Sequence, residues 1–397
     1  MTRAGTVPEV FLAFLRLGVT SFGGPIAHLG YFRDDLVTRR RWMDDRAYAD
    51  LVALCQFLPG PASSQVGFAM GLQRAGFWGA IVAFLGFTLP SAVLLVAFAA
   101  GASLFGGPVG GGILDGLKIV AVAIVAQAVW GMARSLTPDA PRAGIAVVAA
   151  ALALFAPGAV GQLGALAIGV AAGLVLLREA AEQAGETLPS FGVPRAVAIG
   201  SLVVAAAALV GLPLLAATTG SGLVALADAF FRSGALVFGG GHVVLPLLQA
   251  EVVQTGWVSP DVFLAGYGAA QAVPGPLFTF AAYLGAVSSV GPGGVAGAAV
   301  ALVAIFLPGF LVLVGVLPFW DALRGRPRVR AAMRGANAAV VGILGAALYT
   351  PVFTTAVTGP GPFVLALVGF VLLTAFRAPA WVVVIVGAIG GVIAALL

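Results

Sequence analysis

Two short phrases hold most of the residues in this chain that could do chemistry, and each is written twice. Arg16 stands six residues before Phe22-Gly23-Gly24, and Arg232 six residues before Phe238-Gly239-Gly240. Gln56 stands three residues before Pro59-Gly60-Pro61, and Gln271 three before Pro274-Gly275-Pro276. A guanidinium is a permanent cation whose planar fork suits oxyanions, and a carboxamide adds neutral donors. Proline and glycine break a helix, and a broken helix turns free amides and a positive dipole end toward an anion. The chemistry written here is recognition of an anion.

Each of these residues also has a plainer reading. Arg16 and Arg232 could reach the membrane surface on their flexible stems. Ser21, Ser63, Ser64 and Thr279, which flank the breaks, either donate to an anion or cap a half-helix. Lys118 aligns with Asn337 in the second copy and carries a charge the two halves do not share; function and snorkelling stay open for it. His28 and His242, the only histidines, are either groups that take up a proton, with an ordinary pKa near ~6.5, or satisfied structural residues. Cys55 is the only cysteine and reads as a packed small residue.

The elements that must position these groups are set by composition. Of 397 residues, 61% are hydrophobic and 9% charged, against roughly 25% charged in soluble domains. Apolar stretches of about 20 residues, the length that crosses ~30 Å of hydrocarbon, recur from Val10 onward, which makes this an all-α polytopic membrane protein. The net charge of +5 comes from arginines in short loops, where the positive-inside rule accounts for them and nucleic acid does not. A single cysteine excludes internal disulfides. The two histidines lack the spacing of a metal motif, and no phosphate-binding glycine motif or nucleophile elbow occurs. No cofactor is expected. The opening "MTRAGTVPEV" runs into the first apolar segment without a small-residue cleavage site and is expected to remain uncleaved.

Sliding the chain against itself by 215 to 219 positions aligns the phrases in order, together with Trp42 over Trp257, Leu89-Pro90 over Leu307-Pro308, and Gly116–Ile124 over Gly335–Ile343. The chain is a tandem duplication. Arg33–Arg46 holds five arginines and its counterpart Gln249–Asp261 none, whereas Gly101–Leu117 holds none and its counterpart Phe319–Arg334 five. Loop arginines mark the cytoplasmic side, so the two copies are expected in opposite orientations, as in many secondary transporters. Parity then gives each copy four crossings and a re-entrant pair of half-helices around Pro-Gly-Pro. In the first copy the crossings are Phe77–Ala100, Ile119–Ala133, Gly144–Ala156 and Ala159–Leu177, and Ala196–Ala217 is an extra span. Residues 1–178 form one repeat, 179–220 the connecting segment, and 221–397 the inverted repeat.

Through "FLRLGVTSFGGPIAHLGYFRDDLV", "QFLPGPASSQVGFAMG", "FTLPSAVLL", "FRSGALVFGGGHVVLP" and "YGAAQAVPGPLFTFAAYLG", the chain resembles the chromate ion transporter family in its long two-domain form. The resemblance implies a multi-pass protein of the cell inner membrane that exports chromate, conferring resistance, with coupling to the proton gradient. It places motif residues at Phe22, Gly23, Gly24, Pro25, Pro59, Gly60 and Pro61, and at Phe238, Gly239, Gly240, Pro274, Gly275 and Pro276. One position departs, because Gly241 stands where Pro25 has its match. The partners implied are an oxyanion, protons and the lipid bilayer; a homodimer is left open. A sulfate or related oxyanion carrier is the alternative, since sulfate shares the shape and charge of chromate. A channel and a membrane-embedded chromate reductase are rivals of other kinds.

Opposed orientation is directly measurable. In a Cys55→Ala background, single cysteines at Thr38 and Arg328 are expected to resist an impermeant thiol reagent applied from outside, and one at Thr255 to react. Labelling of the Thr38 and Thr255 positions from the same face would remove the inverted arrangement.

Overall fold

In the computed structural model, residues 5–101, 107–156, 159–177, 191–238, 241–320 and 326–396 are described, and among them all regular structure is helical. Helix α1 (Val7–Thr20) starts under a capping box between Thr6 and Glu9 and ends at Ser21. Gly23 and Gly24, with φ of 101° and 81°, reverse the chain in a conformation that side chains disfavour. It continues as α2 (Gly24–Phe32) and a π-helical turn, Arg33–Arg39. Helix α3 (Asp45–Phe57), capped by the Asp44 side chain, stops at Pro59-Gly60-Pro61. Helix α4 (Ala62–Gly101) then runs on with a bend at Ala75-Gly76. Helices α5 (Gly107–Leu136), α6 (Ala140–Phe155) and α7 (Ala159–Leu176) complete the first copy.

Helix α8 (Arg195–Thr219) stands between the copies and buries only Ala198, as an apolar helix facing lipid would. The order of elements is then repeated: α9 (Gly222–Ala235), a 3-10 turn (Gly241–Val243) leading into α10 (Val244–Leu248) and a π-helical turn (Gln249–Val253), then α11 (Pro260–Ala270). Helices α12 (Phe280–Val287) and α13 (Gly294–Val316) match the two limbs of α4, and α14 (Pro327–Ala347), α15 (Pro360–Thr374) and α16 (Ala380–Leu396) match α5 to α7.

The copies interlock. Within each, the first helix packs on the long proline-containing one, α1 on α4 and α9 on α13. Between them the partners are exchanged: α5 packs on α15 and α16, while α14 packs on α6 and α7. Matched glycines make both crossings, with Gly116 on Gly387 and Gly112 on Gly391 in one, and Gly335 on Gly169 and Gly173 in the other. A Cβ at Gly112, Gly116, Gly169, Gly173, Gly335 or Gly391 would overlap the facing backbone, and one at Gly387 the Val120 side chain. Lipid tails are as apolar as leucine, so helix association in a membrane relies on such close backbone packing. This corrects one expectation. The stretch Gly101–Leu117, read as a loop, is helical from Gly107, because Gly112 and Gly116 carry the approach of α16.

Five helices among the described residues are long and apolar enough to cross a membrane: α4, α5, α8, α13, and α14 with its extension to Ala356. Helices α6 and α15, with 16 and 15 residues, reach only about 24 Å and 22 Å at ~1.5 Å per residue, less than the hydrocarbon thickness. The crossing expected at Gly144–Ala156 is short by the same measure.

Gly335→Leu is expected to destabilise the protein by about 1–3 kcal/mol or more, the usual cost of overpacking, seen as a lower unfolding midpoint in detergent. Gly131→Ala, where a Cβ meets nothing within 4 Å, is expected to leave the midpoint unchanged or slightly raised.

Candidate functional site

The broken elements meet crosswise. The Gly60 N–H donates to the Val237 carbonyl at 2.8 Å, and the Gly275 N–H donates to the Ser21 carbonyl at 2.9 Å. Gly60 matches Gly275 and Val237 matches Ser21 in the duplication, so the same bond is made once from each side. Both glycines have positive φ, 114° and 99°. Both also lie against the long helix of the other copy: a Cβ on Gly60 would come within 2.9 Å of Gly309 Cα, and one on Gly275 within 2.8 Å of Ser91 Oγ. Glycine is required at each place for conformation and for space. Gln65 ties the first break down further, its Nε2 donating to the carbonyls of Pro59 and Gly309, both at 2.9 Å. The two central amides expected to face an anion are therefore taken by the opposite copy.

Gly241 and Pro25, the pair at which the motifs depart, face each other. A Cβ on Gly241 would stand 2.9 Å from Pro25 Cγ. Two matched positions in direct contact have room for one proline ring, which explains why the second copy lacks it.

Side chains around the breaks differ sharply between copies. On the first copy's side Ser21, His28, Ser63, Ser64, Gln65, Thr88 and Ser91 are buried. Their matches are Val237, Val244, Phe278, Thr279, Phe280, Phe306 and Gly309, so only Ser64 meets another hydroxyl. His28 Nδ1 lies 3.4 Å from Ser63 Oγ, its ring stands edge-on to Phe87, and the Ser21 backbone lies beside it. Ser21 Oγ, His28 Nε2, Ser64 Oγ, Gln65 Oε1 and Thr88 Oγ1 are enclosed and have no hydrogen-bond partner. A buried polar atom left unmatched costs about 1–3 kcal/mol, and five of them belong to the first copy's broken elements and the long helix beside them. The opposing face is aromatic, with Phe278, Phe306 and Phe310 packed together and Phe68 stacked on Phe310 at 4.4 Å.

Other residues singled out from sequence lie as follows. Thr279 is buried, but its hydroxyl donates to the Pro276 carbonyl at 2.7 Å. Pro61, Pro274 and Pro276 are buried, Phe22, Pro59 and Phe238 half-buried, and Gln56 exposed. Gln271 is half-buried with Nε2 unpartnered. Gly239 and Gly240 lie outside the described residues. His242 is bonded to the Tyr267 hydroxyl through Nδ1 at 2.8 Å. Lys118 is held by Asp115 at 2.6 Å and, across the copies, by Asp261 at 2.8 Å. Cys55 is buried.

The arginines are not brought together. Helix α1 buries Val10, Ala13, Phe14 and Leu17, a stripe of helical period, and Arg16 falls outside it and is exposed. Arg232 lies within reach of two carboxylates, bonding Asp228 through Nε and Nη2 and Glu251 through Nη2 at 3.0 Å. Gln65, Thr88, Ser91, Asp228 and Glu251 were not anticipated. Their signal was present: each is polar in an apolar helix, and all but Glu251 align with an apolar residue or glycine in the other copy.

Fold and site define a class: a multi-pass helical membrane protein made of two interlocked copies, with broken helices meeting beside a group of buried polar side chains. The chain belongs to the chromate transporter family, whose sequence model matches residues 8–177 and 224–392, one match per copy. It is 30% identical over 344 residues to a chromate transport protein of Pseudomonas aeruginosa, covering 85% of this chain and 79% of that one. It is 29% identical over 386 residues to a chromate transport protein of Cupriavidus metallidurans, covering 96% and 92%. An uncharacterized transporter of Bacillus subtilis is 34% identical over 88 residues, 22% of this chain and 45% of that one, and is thus about half as long. No solved structure matches.

The Gly241–Pro25 contact generates a swap experiment. Gly241→Pro alone is expected to lower the unfolding midpoint and transport, and Pro25→Gly added to it to recover much of both. A single variant as stable and active as the wild type would show that the two positions do not compete for space.

Proposed function

We propose that this chain is a secondary transporter of the inner membrane that exports chromate in exchange for protons, with the oxyanion bound at the half-helix breaks. The observation that carries the reading is the set of enclosed, unpartnered groups on the first copy's side. Ser21, Ser64 and Thr88 each offer a hydroxyl, His28 a ring nitrogen, and the first turn of α4 the positive end of a long helix. Chromate is a tetrahedral dianion that takes several donors and no nearby carboxylate. The five-to-none loop counts and the reciprocal bonds between breaks support opposed orientation of the copies and broken helices that turn back at the centre. The Gly-Pro pairs then sit where irregular backbone is tolerated, buried in protein or lining a cavity. Gly23, Gly24, Pro59, Gly60, Pro61, Pro274, Gly275 and Pro276 shape this place. The exposed Arg16 and the doubly engaged Arg232 are outside the ligand set in this reading.

The test is initial-rate flux of chromate and of sulfate in proteoliposomes of the purified full chain. Ser64→Ala is expected to raise the half-saturating chromate concentration about tenfold, the loss of one hydrogen bond to a charged group. Gly60→Leu is expected to abolish flux while the protein still inserts. Wild-type kinetics in both variants would overturn the location, and faster sulfate than chromate flux would move the substrate to sulfate.

A further inference from the structure

The π-helical turns that follow α2 and α10 hold a carboxylate at the same aligned position, Asp35 in the first copy and Glu251 in the second. The two side chains are equally withdrawn from solvent, 13% exposed in each case, but their partners are reversed. Asp35 has two cations, Arg39 and Arg40. Glu251 shares one cation, Arg232, with a second carboxylate, Asp228, whose side chain is 7% exposed. Where Asp228 stands, the first copy has Leu12. The first cluster carries one positive charge in excess, the second one negative.

Asp228 Oδ2 and Glu251 Oε2 bond to the same nitrogen, Arg232 Nη2, at 2.8 and 3.0 Å, so they lie within about 6 Å of each other. Two carboxylates share one cation here, so the cluster holds one negative charge that no cation matches. Asp228 holds the guanidinium through two of its nitrogens. Glu251 makes a single bond, the one more easily exchanged for a proton. Among the described residues, no other charge on the neighbouring elements competes. Helix α13 has no ionisable side chain, and α8 has only Arg195 at its first residue. The turn before α10 has His242, which is bonded to Tyr267 of α11, and Asp261 of α11 is held by Lys118.

We infer that Glu251, set against Asp228 on Arg232, is the site that takes up and releases the coupling proton. The inference rests on the proposed proton-coupled export. On uptake an O–H bond forms on the Glu251 carboxyl, with the proton drawn from water on one side of the membrane, and the cluster becomes neutral. On release that bond breaks, the proton passes to water on the other side, and the single negative charge returns. The histidines named from sequence have no part in this step.

The experiment uses the full chain in proteoliposomes with two readouts: chromate and proton movement under an imposed pH gradient, and chromate counterflow at equal pH. Wild type is expected to show both. Glu251→Gln and Asp228→Asn are each expected to lose gradient-driven accumulation and proton movement at least tenfold while keeping counterflow within about twofold. His242→Gln is expected to remain coupled. Coupled flux at the wild-type level in Glu251→Gln, or equal loss of both readouts in both carboxylate variants, overturns the assignment and leaves the cluster a structural one. Loss of coupling in His242→Gln alone moves the proton to the histidine. Chromate flux without proton movement in the wild type removes the coupled-export reading itself and this assignment with it.

Discussion

The constraint on which the structure depends is that a helix broken among apolar side chains exposes backbone groups that no water is at hand to satisfy. The chain meets it by trading bonds between copies, Gly60 to Val237 and Gly275 to Ser21. Each break is completed by the other, so neither copy holds its central backbone alone. The rest follows from the closeness this requires. Glycine must stand at 60 and 275, a small residue must face each of them on the opposite long helix, and Gln65 fills the remaining bonds beside the first break. The exchanged packing of α5 and α14 on the last helices of the opposite copy binds the halves on a wider scale.

With backbone demands met equally on both sides, side chains are free to differ. They have done so in two places. Around the breaks, one copy supplies hydroxyls, an imidazole and a carboxamide where the other supplies phenyl rings, valines, a glycine and a single hydroxyl. In the π-helical turns, one copy sets two cations on a carboxylate and the other two carboxylates on a cation. A pathway built from equal halves would present the same chemistry to both faces of a membrane. These two departures make the halves chemically unequal.

What was legible in the sequence follows from which properties a residue type fixes by itself. Pro-Gly-Pro and Phe-Gly-Gly break helices wherever they occur, so the breaks, their duplication and the separate helix α8 could be read directly. Which break bonds which could not, since that is decided by packing between distant segments. The surroundings of the arginines were less legible. Their spacing to the glycines drew them toward the site, but helical phase governs where a side chain points, and Val10, Ala13, Phe14 and Leu17 already mark the buried face that excludes Arg16. Helix α5 began earlier than expected because glycine reads as a loop former in isolation, whereas Gly112 and Gly116 serve contact with a helix more than 250 residues away. Comparing aligned positions for lost polarity, such as His28 with Val244 or Thr88 with Phe306, would have outlined the group of buried polar side chains.

The touching of Pro25 and Gly241 carries a consequence for how such molecules can be assembled. If two separate, identical half-length subunits were placed in this arrangement, one residue type would occupy both sides of that contact, and the space admits a single ring. Such a pair would have to give up the proline on both chains or open the centre to accommodate two. Joining the halves into one polypeptide lifts that requirement, since each side can then mutate independently of its counterpart. A lone proline facing a glycine is a composition that only non-identical halves can hold.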